Sequence, residues 1–282
     1  MADITTSQPS ATVLSRRSAI KGASALGGAA VFASLGLGTV LNNSASAQEG
    51  SYAIFASTVD IPNIDPAVGH DGAISTSQKS LYDTLYRHVG NPVELTPWLA
   101  TGHTVSEDGL TYTFTLDPAA TFQDGSPVNA DAVVFSFQRL MDIGQGVSFF
   151  FNGIVDRESV VAVDDATAEF TLNKQFAPFM HAIAWLFILN PAVVQANEVD
   201  GDLGQEWLVT NAAGSGPFKI NRWEPGNLYQ FDADPNYWKG WEEPHVDGYI
   251  HQLSAESSTK RLALEAGEIH FADWLSTATL TS

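Results

Sequence analysis

Two aspartates, Asp124 and Asp131, lie in the segment FQDGSPVNADAVVFSFQRL, seven positions apart. A pair of carboxylates can act as general acid and base if the two converge and a neighbouring group shifts the pKa of one of them. Asp124-Gly125-Ser126-Pro127 is typical of a tight turn, however, and Asn129 is a good N-cap for a helix with Asp131 in its first turn. We therefore predict structural roles for both acids. A secreted hydrolase that uses carboxylates is the alternative.

The other polar residues do not form a metal or nucleophile motif. Asp164-Asp165 is typical of a hairpin turn, and Asp200 and Asp202 have the spacing of a calcium loop without its remaining ligands. None of the seven histidines has a second histidine four positions away, and the chain has no cysteine. These patterns exclude disulfides, thiolate catalysis and cysteine-ligated zinc, and we expect neither a cofactor nor a bound metal.

Composition restricts the partners. The 282 residues carry a formal net charge of −19. Without residues 1–47 the chain has 10 basic and 31 acidic side chains, which gives −21. Such a chain repels nucleic acids and anionic membrane surfaces, so neither is expected as a partner. Its length and its 44% hydrophobic content are sufficient for one large domain or two ordinary ones.

The N-terminal segment has the features of an export signal. A twin-arginine pair, Arg16 and Arg17, precedes the uncharged stretch GASALGGAAVFASLGLGTVL, and Ala45 and Ala47 form a small-residue cleavage site. We interpret residues 1–47 as a twin-arginine export signal, which predicts a periplasmic or extracellular product. An uncleaved anchor is the competing interpretation, because the stretch is about long enough to span a bilayer.

Strands and helices alternate in the pattern of residues 51–172. A strand starts at Ser51, and the Asp-Gly turn at Asp108 precedes the alternating strand LTYTFTL. The segment from Val160 to Leu172 predicts a hairpin. Helices are expected at two places where apolar residues recur at helical spacing: Ile74, Leu81, Leu85 and Val89, capped within Ser75 to Ser77, and Val133, Val134, Phe137, Leu140 and Met141, capped by Asn129.

The rest of the chain continues in the same way. FAPFMHAIAWLFILNPAVV is apolar nearly all round and predicts a buried helix that ends at Pro191. FKINRW, LYQFDAD and VDGYIHQL each predict a strand. A helix from Ser257 to Ala266, stopped by Gly267, precedes a strand from Ile269 to Phe271.

Seven of these segments, taken in order, resemble one known family. They are NIDPA, SLYDTLYR, LTYTFTL, FQDGSPVNADAVVFSFQRL, VDDATAEFTL, GSGPFKINRWEPGNLYQFDADPNYW and LALEAGEIHFADW. Their order and spacing are similar to those of the family 5 extracytoplasmic solute-binding proteins, the peptide, opine, nickel and oligosaccharide receptors of ATP-binding-cassette (ABC) importers. Three positions depart from the usual pattern: Asp117, Phe218 and His270 replace an arginine, a tyrosine and an acid.

The resemblance implies an α/β fold of the bilobal periplasmic-binding-protein type (type II, cluster C), which closes around its ligand. In these terms residues 48–87 begin the first lobe, 88–200 form an inserted subdomain, and 201–282 return to the first lobe. The opposite lobe is largely missing from the chain, which we therefore expect to be a fragment of the full receptor. The implied role is binding without catalysis, by a monomer that delivers a peptide or similar small solute to ABC permease subunits.

The resemblance also implies where the solute is held. The loop after the first strand indicates His70, Asp71, Gly72 and Ala73, although a solvated loop is the alternative. Phe149 and Phe150 are candidates for an aromatic wall or for ordinary core. The last strand ends before Asp273 and Trp274, where the acid could pair with an amine of the ligand. A nickel or haem receptor of the same fold is a further alternative.

Overall fold

The computed structural model describes residues 51–276. The export-signal residues Arg16, Arg17, Ala45 and Ala47 lie outside the described residues. None of the helices between 51 and 276 is long and apolar enough to cross a membrane.

The first sheet has five strands in the order β11-β1-β10-β9-β8. β1 pairs in parallel with β10 and β11, whereas β9 is antiparallel to both β10 and β8. Two separate parts of the chain therefore build it, because β1 comes from the start of the described region and the other four strands from its end. The strands are β1 (Tyr52–Ser57), β8 (Phe218–Glu224), β9 (Leu228–Ala233), β10 (Gly248–Leu253) and β11 (Phe271–Ala272).

The second sheet is antiparallel, in the order β4-β5-β7-β6, and a separate hairpin, β2-β3, precedes it in the chain. On its buried face the sheet packs against the long helix α2 (Ala130–Ile143). The strands are β2 (Tyr86–Val89), β3 (Glu94–Pro97), β4 (Ala100–Val105), β5 (Thr111–Leu116), β6 (Val155–Asp164) and β7 (Thr167–Leu172).

The remaining helices are α1 (Gly72–Leu81), α3 (Phe179–Ile183), α4 (Pro191–Ala196), α5 (Gln205–Leu208) and α6 (Ser257–Ala266), and a 3-10 helix spans Gly146–Phe150. Two hydrophobic cores accompany the two sheets. One includes Phe114, Phe137 and Phe170, and the other includes Tyr229 and Phe231. The predicted segment boundaries at residues 87 and 200 stay predictions.

Most local predictions are confirmed. Asn129 caps α2, because its side chain accepts a hydrogen bond from the N–H of Ala132 at 3.0 Å. The predicted hairpin is β6-β7, although its turn residues are Asp165 and Ala166, one position later than expected, because Asp164 still pairs with Thr167. Gly267 ends α6 with a left-handed φ of 73°. β8, β9 and β10 coincide with the three predicted strands, whereas β11 begins two residues later than expected.

Two helix predictions are wrong. The helix expected to reach Val89 ends at Leu81, and Val89 lies in strand β2. Its cap is Asp71, which precedes the predicted serines. The apolar segment before Pro191 contains only the single turn of α3, and Pro191 begins a helix instead of ending one. Proline is tolerated at this first helical position because its missing N–H has no partner there. The side chain of Asn190 caps this helix by accepting from the N–H groups of Ala192 and Val193.

Candidate functional site

The carboxyl ends of three parallel strands meet at one edge of the first sheet. β1, β10 and β11 end at Ser57, Leu253 and Ala272, respectively. Open α/β sheets bind their ligands outside the carboxyl ends of their strands, because the loops that follow the strands are free to line a crevice there. This strand edge is therefore the first place to test the predicted binding residues.

Asp273 at the strand edge is engaged inside the protein. Its carboxylate accepts hydrogen bonds from Ser57 Oγ at 2.5 Å, the N–H of Thr58 at 3.0 Å and Lys260 Nζ at 2.9 Å. Burial raises the pKa of Asp273, but these hydrogen bonds outweigh burial and hold the pKa below its ordinary value. An amine of a ligand would have to compete with Lys260, whose side chain is fully buried. Contact between Asp273 and a ligand stays a prediction.

Trp274 is the next residue, and in contrast to Asp273 its side chain is exposed to solvent. Its side chain is 78% exposed, and its backbone lies in the left-handed region with a φ of 44°. Lys260 Nζ also donates to the carbonyl of Asp273 at 2.6 Å, and Ser257 Oγ donates to the carbonyl of Trp274 at 3.3 Å. α6 thus holds the backbone on which the indole is presented to solvent. A large exposed ring on a fixed backbone is suited to contact a ligand.

The loop after β1 is fixed by a buried ion pair. Arg139 of α2 donates to both carboxylate oxygens of Asp65, at 2.8 and 2.6 Å, and both side chains are almost completely buried. Gln78 of α1 donates to the carbonyls of Asp65 and Gly69, at 3.2 and 2.9 Å. The loop that leads to His70 is therefore anchored from two helices.

The structure gives the four predicted residues of this loop different positions. His70 is exposed, and Asp71 caps α1 by accepting from the N–H of Ile74 at 3.0 Å. Gly72 and Ala73 are not loop residues, because they form the first turn of α1. The expectation of a loop through all four positions is wrong in this respect, since Asp71 starts the helix. Their contact with a ligand stays a prediction.

His70 is brought against the predicted aromatic pair. The rings of His70 and Phe149 are 5.7 Å apart in an edge-on arrangement, and Phe149 and Phe150 are 4.3 Å apart. Phe149 is 54% exposed, whereas Phe150 packs against the core of the second sheet. Gly146 makes this contact possible, because a Cβ at that position would lie 2.9 Å from the backbone of Ala67. Between 51 and 276, no hydrogen bond or ring contact joins this aromatic group to Asp273.

Trp185 extends the aromatic group and was not among the predicted residues. Its ring lies 6.4 Å from that of Phe150, and Lys79 Nζ lies 4.2 Å above it. It follows α3 within an apolar stretch that indicates burial only. Nothing in the local sequence distinguishes it from a core residue.

A third group surrounds the buried carboxylate of Asp83. Its oxygens accept from the indole N–H of Trp98 at 2.7 Å, the indole N–H of Trp238 at 2.9 Å and Ser215 Oγ at 3.2 Å, and Arg87 forms an ion pair with it at 3.5 Å. Burial raises the pKa of Asp83, while Arg87 and these donors lower it in part. We call these five residues the Asp83 cluster. It joins two of the segments that carry the resemblance, SLYDTLYR and GSGPFKINRWEPGNLYQFDADPNYW, with Trp98, which lies outside the seven segments.

The acids that open the sequence analysis have structural roles. Asp124 accepts from the N–H and the hydroxyl of Ser126, at 2.9 and 2.6 Å, and from Asn190 Nδ2 at 2.8 Å. Asp131 lies in the first turn of α2. Within the described residues, no three or more histidines, aspartates and glutamates are grouped so that they could hold a metal ion.

Known proteins resemble the chain in sequence. It is 34% identical over 228 residues to a probable D,D-dipeptide-binding periplasmic protein of Escherichia coli, which covers 79% of this chain and 43% of that protein. It is 31% identical over 222 residues to heme-binding protein A of Haemophilus influenzae, covering 72% and 40% of the two chains.

The fold is similar as well. The periplasmic binding protein DppA of Helicobacter pylori, solved in complex with the peptide STSA, superposes with a TM-score of 0.72 at 28% identity, over 82% of this chain and 48% of the other. The predicted α/β, periplasmic-binding-protein-like fold is confirmed, and the chain covers about half of such a bilobal protein. The pattern of bacterial extracellular solute-binding proteins, family 5, matches residues 94–282. The chain belongs to this family of solute-binding proteins.

Proposed function

We propose that the chain forms part of a receptor that captures a peptide or similar small solute outside the cytoplasmic membrane for an ABC importer. The observation that carries the proposal is the strand edge, where Trp274 is 78% exposed on a backbone held by Lys260. The relative from E. coli is named for a D,D-dipeptide, and the H. pylori protein was solved with a bound peptide. Both names support a short peptide as the class of solute.

The surfaces of this chain provide one wall of a binding cleft. Trp274 offers a ring face at the strand edge, and Phe149 offers a second one beside His70. An extended peptide is recognised mainly by hydrogen bonds to its main chain, while apolar surfaces accept various side chains. Closure of the opposite lobe would be favoured by contacts that exist only in the closed form. Asp273 then acts as a positioning residue for Trp274 through Lys260.

The proposal also includes the export route of the receptor and its partners in the membrane. Members of this family work outside the cytoplasm as binding proteins and not as enzymes, and we infer that residues 1–47 direct twin-arginine export. The receptor would act as a monomer that delivers its solute to membrane permease subunits. Replacing Arg16 and Arg17 with lysine should leave the precursor in the cytoplasm, as fractionation and immunoblotting would show. Normal export of that variant would contradict the route without affecting solute binding.

The solute can be identified directly. Native mass spectrometry of the exported protein should detect a co-purified peptide, and calorimetry with that peptide then gives its affinity. Trp274→Ala and Phe149→Ala should each weaken binding by about tenfold or more, which corresponds to about 1.4 kcal/mol. Val163→Ala is the matched control, because Val163 is also exposed, at 58%, but lies on the β6-β7 hairpin. Unchanged affinity in both aromatic variants would exclude this site.

Asp71 requires a more careful variant. Alanine would remove the cap of α1 together with the charge, so weaker binding would have two explanations. Asp71→Asn keeps a capping side chain and removes only the charge. A drop in affinity for Asp71→Asn with unchanged thermal stability would support direct contact between this carboxylate and the solute.

Haem is the second candidate solute. One relative is named as a heme-binding protein, and His70 offers an exposed imidazole beside the ring of Phe149. Titration of the protein with haem should then give a shifted Soret band that His70→Ala abolishes. Saturable binding of a peptide without any Soret shift would favour the first candidate.

A further inference from the structure

Some cationic side chains of this acidic protein form ion pairs with carboxylates and others do not. Residues 51–276 contain ten lysines and arginines. Seven of them form ion pairs with carboxylates: Arg87, Arg139, Arg157, Lys219, Arg222, Lys260 and Arg261. The other three, Lys79, Lys174 and Lys239, have no carboxylate partner among the described residues.

Two of the three unpaired lysines lie against tryptophan rings in one region. Lys79 Nζ is 4.2 Å from the ring centre of Trp185, and Lys239 Nζ is 4.6 Å from that of Trp98. The guanidinium of Arg87 lies 4.7 Å from the ring of Trp98, and Arg87 also donates to the carbonyl of Lys79. These five residues form one continuous group, which we call the cationic band.

Two histidines lie beside the cationic band. His88 and His181 are hydrogen-bonded ring to ring at 2.9 Å, and both are exposed. Burial lowers the pKa of His88, and His181 and Lys79 lower it further. Burial likewise lowers the pKa of Lys79, as does the neighbouring Arg87. The positive charge of the region is that of Lys79, Arg87 and Lys239, and among residues 51–276 only Asp83 forms an ion pair with it.

We propose that the cationic band is a docking surface for an acidic segment of a partner protein. The net charge of −19 repels such a partner over the surface as a whole, so attraction has to come from a local concentration of positive charge. A partner's carboxylates would provide Lys79 and Lys239 with the counter-charge that they lack. The tryptophans add contact area, and tryptophan and arginine are the residues that most often dominate binding energy at interfaces.

The two lysines of this surface lie outside the groups assigned to solute capture. The surface consists of side chains from α1, β2 and the segments around Trp98, Trp185 and Lys239. It includes neither Trp274 nor Phe149 and shares only Trp185 with the aromatic group beside Phe150. Loss of docking and loss of solute binding can therefore be measured separately in the same protein.

Fluorescence anisotropy with a labelled peptide of alternating glutamate and tyrosine tests the proposal. We expect saturable binding that weakens as salt is raised, and no binding of the matched peptide with glutamine in place of glutamate. The double variant Lys79→Gln/Lys239→Gln should bind the acidic peptide about tenfold more weakly or worse. Lys174→Gln is the control, because it removes an unpaired lysine outside the band and should change the affinity less than about twofold.

Three results would overturn the proposal. The first is absence of saturable binding, and the second is equal weakening by Lys174→Gln, which would indicate a general charge effect. The third is concentration-dependent dimerisation in sedimentation that the double variant abolishes, because the occupant would then be a second copy of the chain. Circular dichroism of both variants should match that of the parent protein, since the altered groups lie at the surface.

Discussion

The Asp83 cluster and the strand edge each contain an aspartate and at least one tryptophan, but they use these residues in opposite ways. At Asp83 the carboxylate is fully buried, and two indole N–H groups donate to it. At the strand edge the carboxylate of Asp273 is held by Lys260, while the neighbouring indole of Trp274 is left 78% exposed. The first arrangement surrounds the carboxylate with donors of the protein itself, whereas the second leaves a large ring without a ring contact inside the described residues.

This difference shows what the family segments encode. Asp83 belongs to one segment that carries the resemblance, and Ser215 and Trp238 belong to another, yet all three converge on the interior. The glycines of GSGP also serve the interior, because a Cβ on Gly216 would lie 2.5 Å from the carbonyl of Ser80. Much of the recurring pattern therefore specifies the scaffold.

The largest effect on the free energy of unfolding is expected at the Asp83 cluster. Asp83→Ala would remove the acceptor of the indole N–H groups of Trp98 and Trp238 and the carboxylate partner of Arg87. We expect the free energy of unfolding to fall by about 3 to 5 kcal/mol, as is typical when one partner of a buried charged group is removed. Urea denaturation followed by far-ultraviolet circular dichroism measures the change. A loss below about 1 kcal/mol would show that Asp83 is not a stabilising centre.

A smaller loss of stability is expected at Gly146, which allows the contact between His70 and Phe149. Gly146→Ala places a Cβ 2.9 Å from the backbone of Ala67 at a φ of 52°. Strain and forced displacement should together cost about 2 to 3 kcal/mol and move Phe149 away from His70. Gly153→Ala is the matched control, because its φ is 71° and nothing lies within 4 Å of the added Cβ. Its cost should be about 1 kcal/mol, and equal costs in the two variants would contradict the packing argument.

The sequence predicts elements that are determined locally. Asn129, Gly267 and the turn that follows Asp164 act on neighbouring backbone groups, so their effects can be derived from adjacent residues. The helix end at Leu81 cannot be derived in this way. Its carbonyl accepts from the N–H of Gly216, and Thr84 pairs with Phe187, so residues more than 100 positions away determine where the helix stops.

The candidate site follows the same rule. The family pattern predicts the position of Trp274 after the last strand. The structure adds that its side chain is exposed there, as the side chain of a ligand-binding residue has to be. The contact between His70 and Phe149 joins residues 79 positions apart, and it depends on the close approach that Gly146 allows. Trp185 and the cationic band depend on tertiary contacts alone, because lysine and tryptophan residues give no periodic signal.

The ion pair at the strand edge predicts a modest pH dependence. The pKa of Asp273 is lowered in the folded protein, so its contribution to stability is complete above the pKa of the unfolded chain and is lost as the pH falls through the lower, folded value. Compared with Asp273→Asn, the parent protein should be more stable by about 1 kcal/mol at pH 7, because the carboxylate is partly exposed. That difference should shrink below about pH 4. A difference that grows on acidification would have the wrong sign for a carboxylate held by Lys260.

The smallest effect on stability is expected at Trp274. Its indole makes no ring contact with another described residue, so Trp274→Ala should change the free energy of unfolding by less than about 0.5 kcal/mol. Trp274→Gly tests the backbone separately, because glycine adopts the observed φ of 44° without strain and should be at least as stable as alanine at this position. If both variants keep their stability and lose affinity for the solute, the ring serves binding alone. A stability loss comparable to that of Asp83→Ala would place Trp274 in the scaffold and remove the contrast between the two regions.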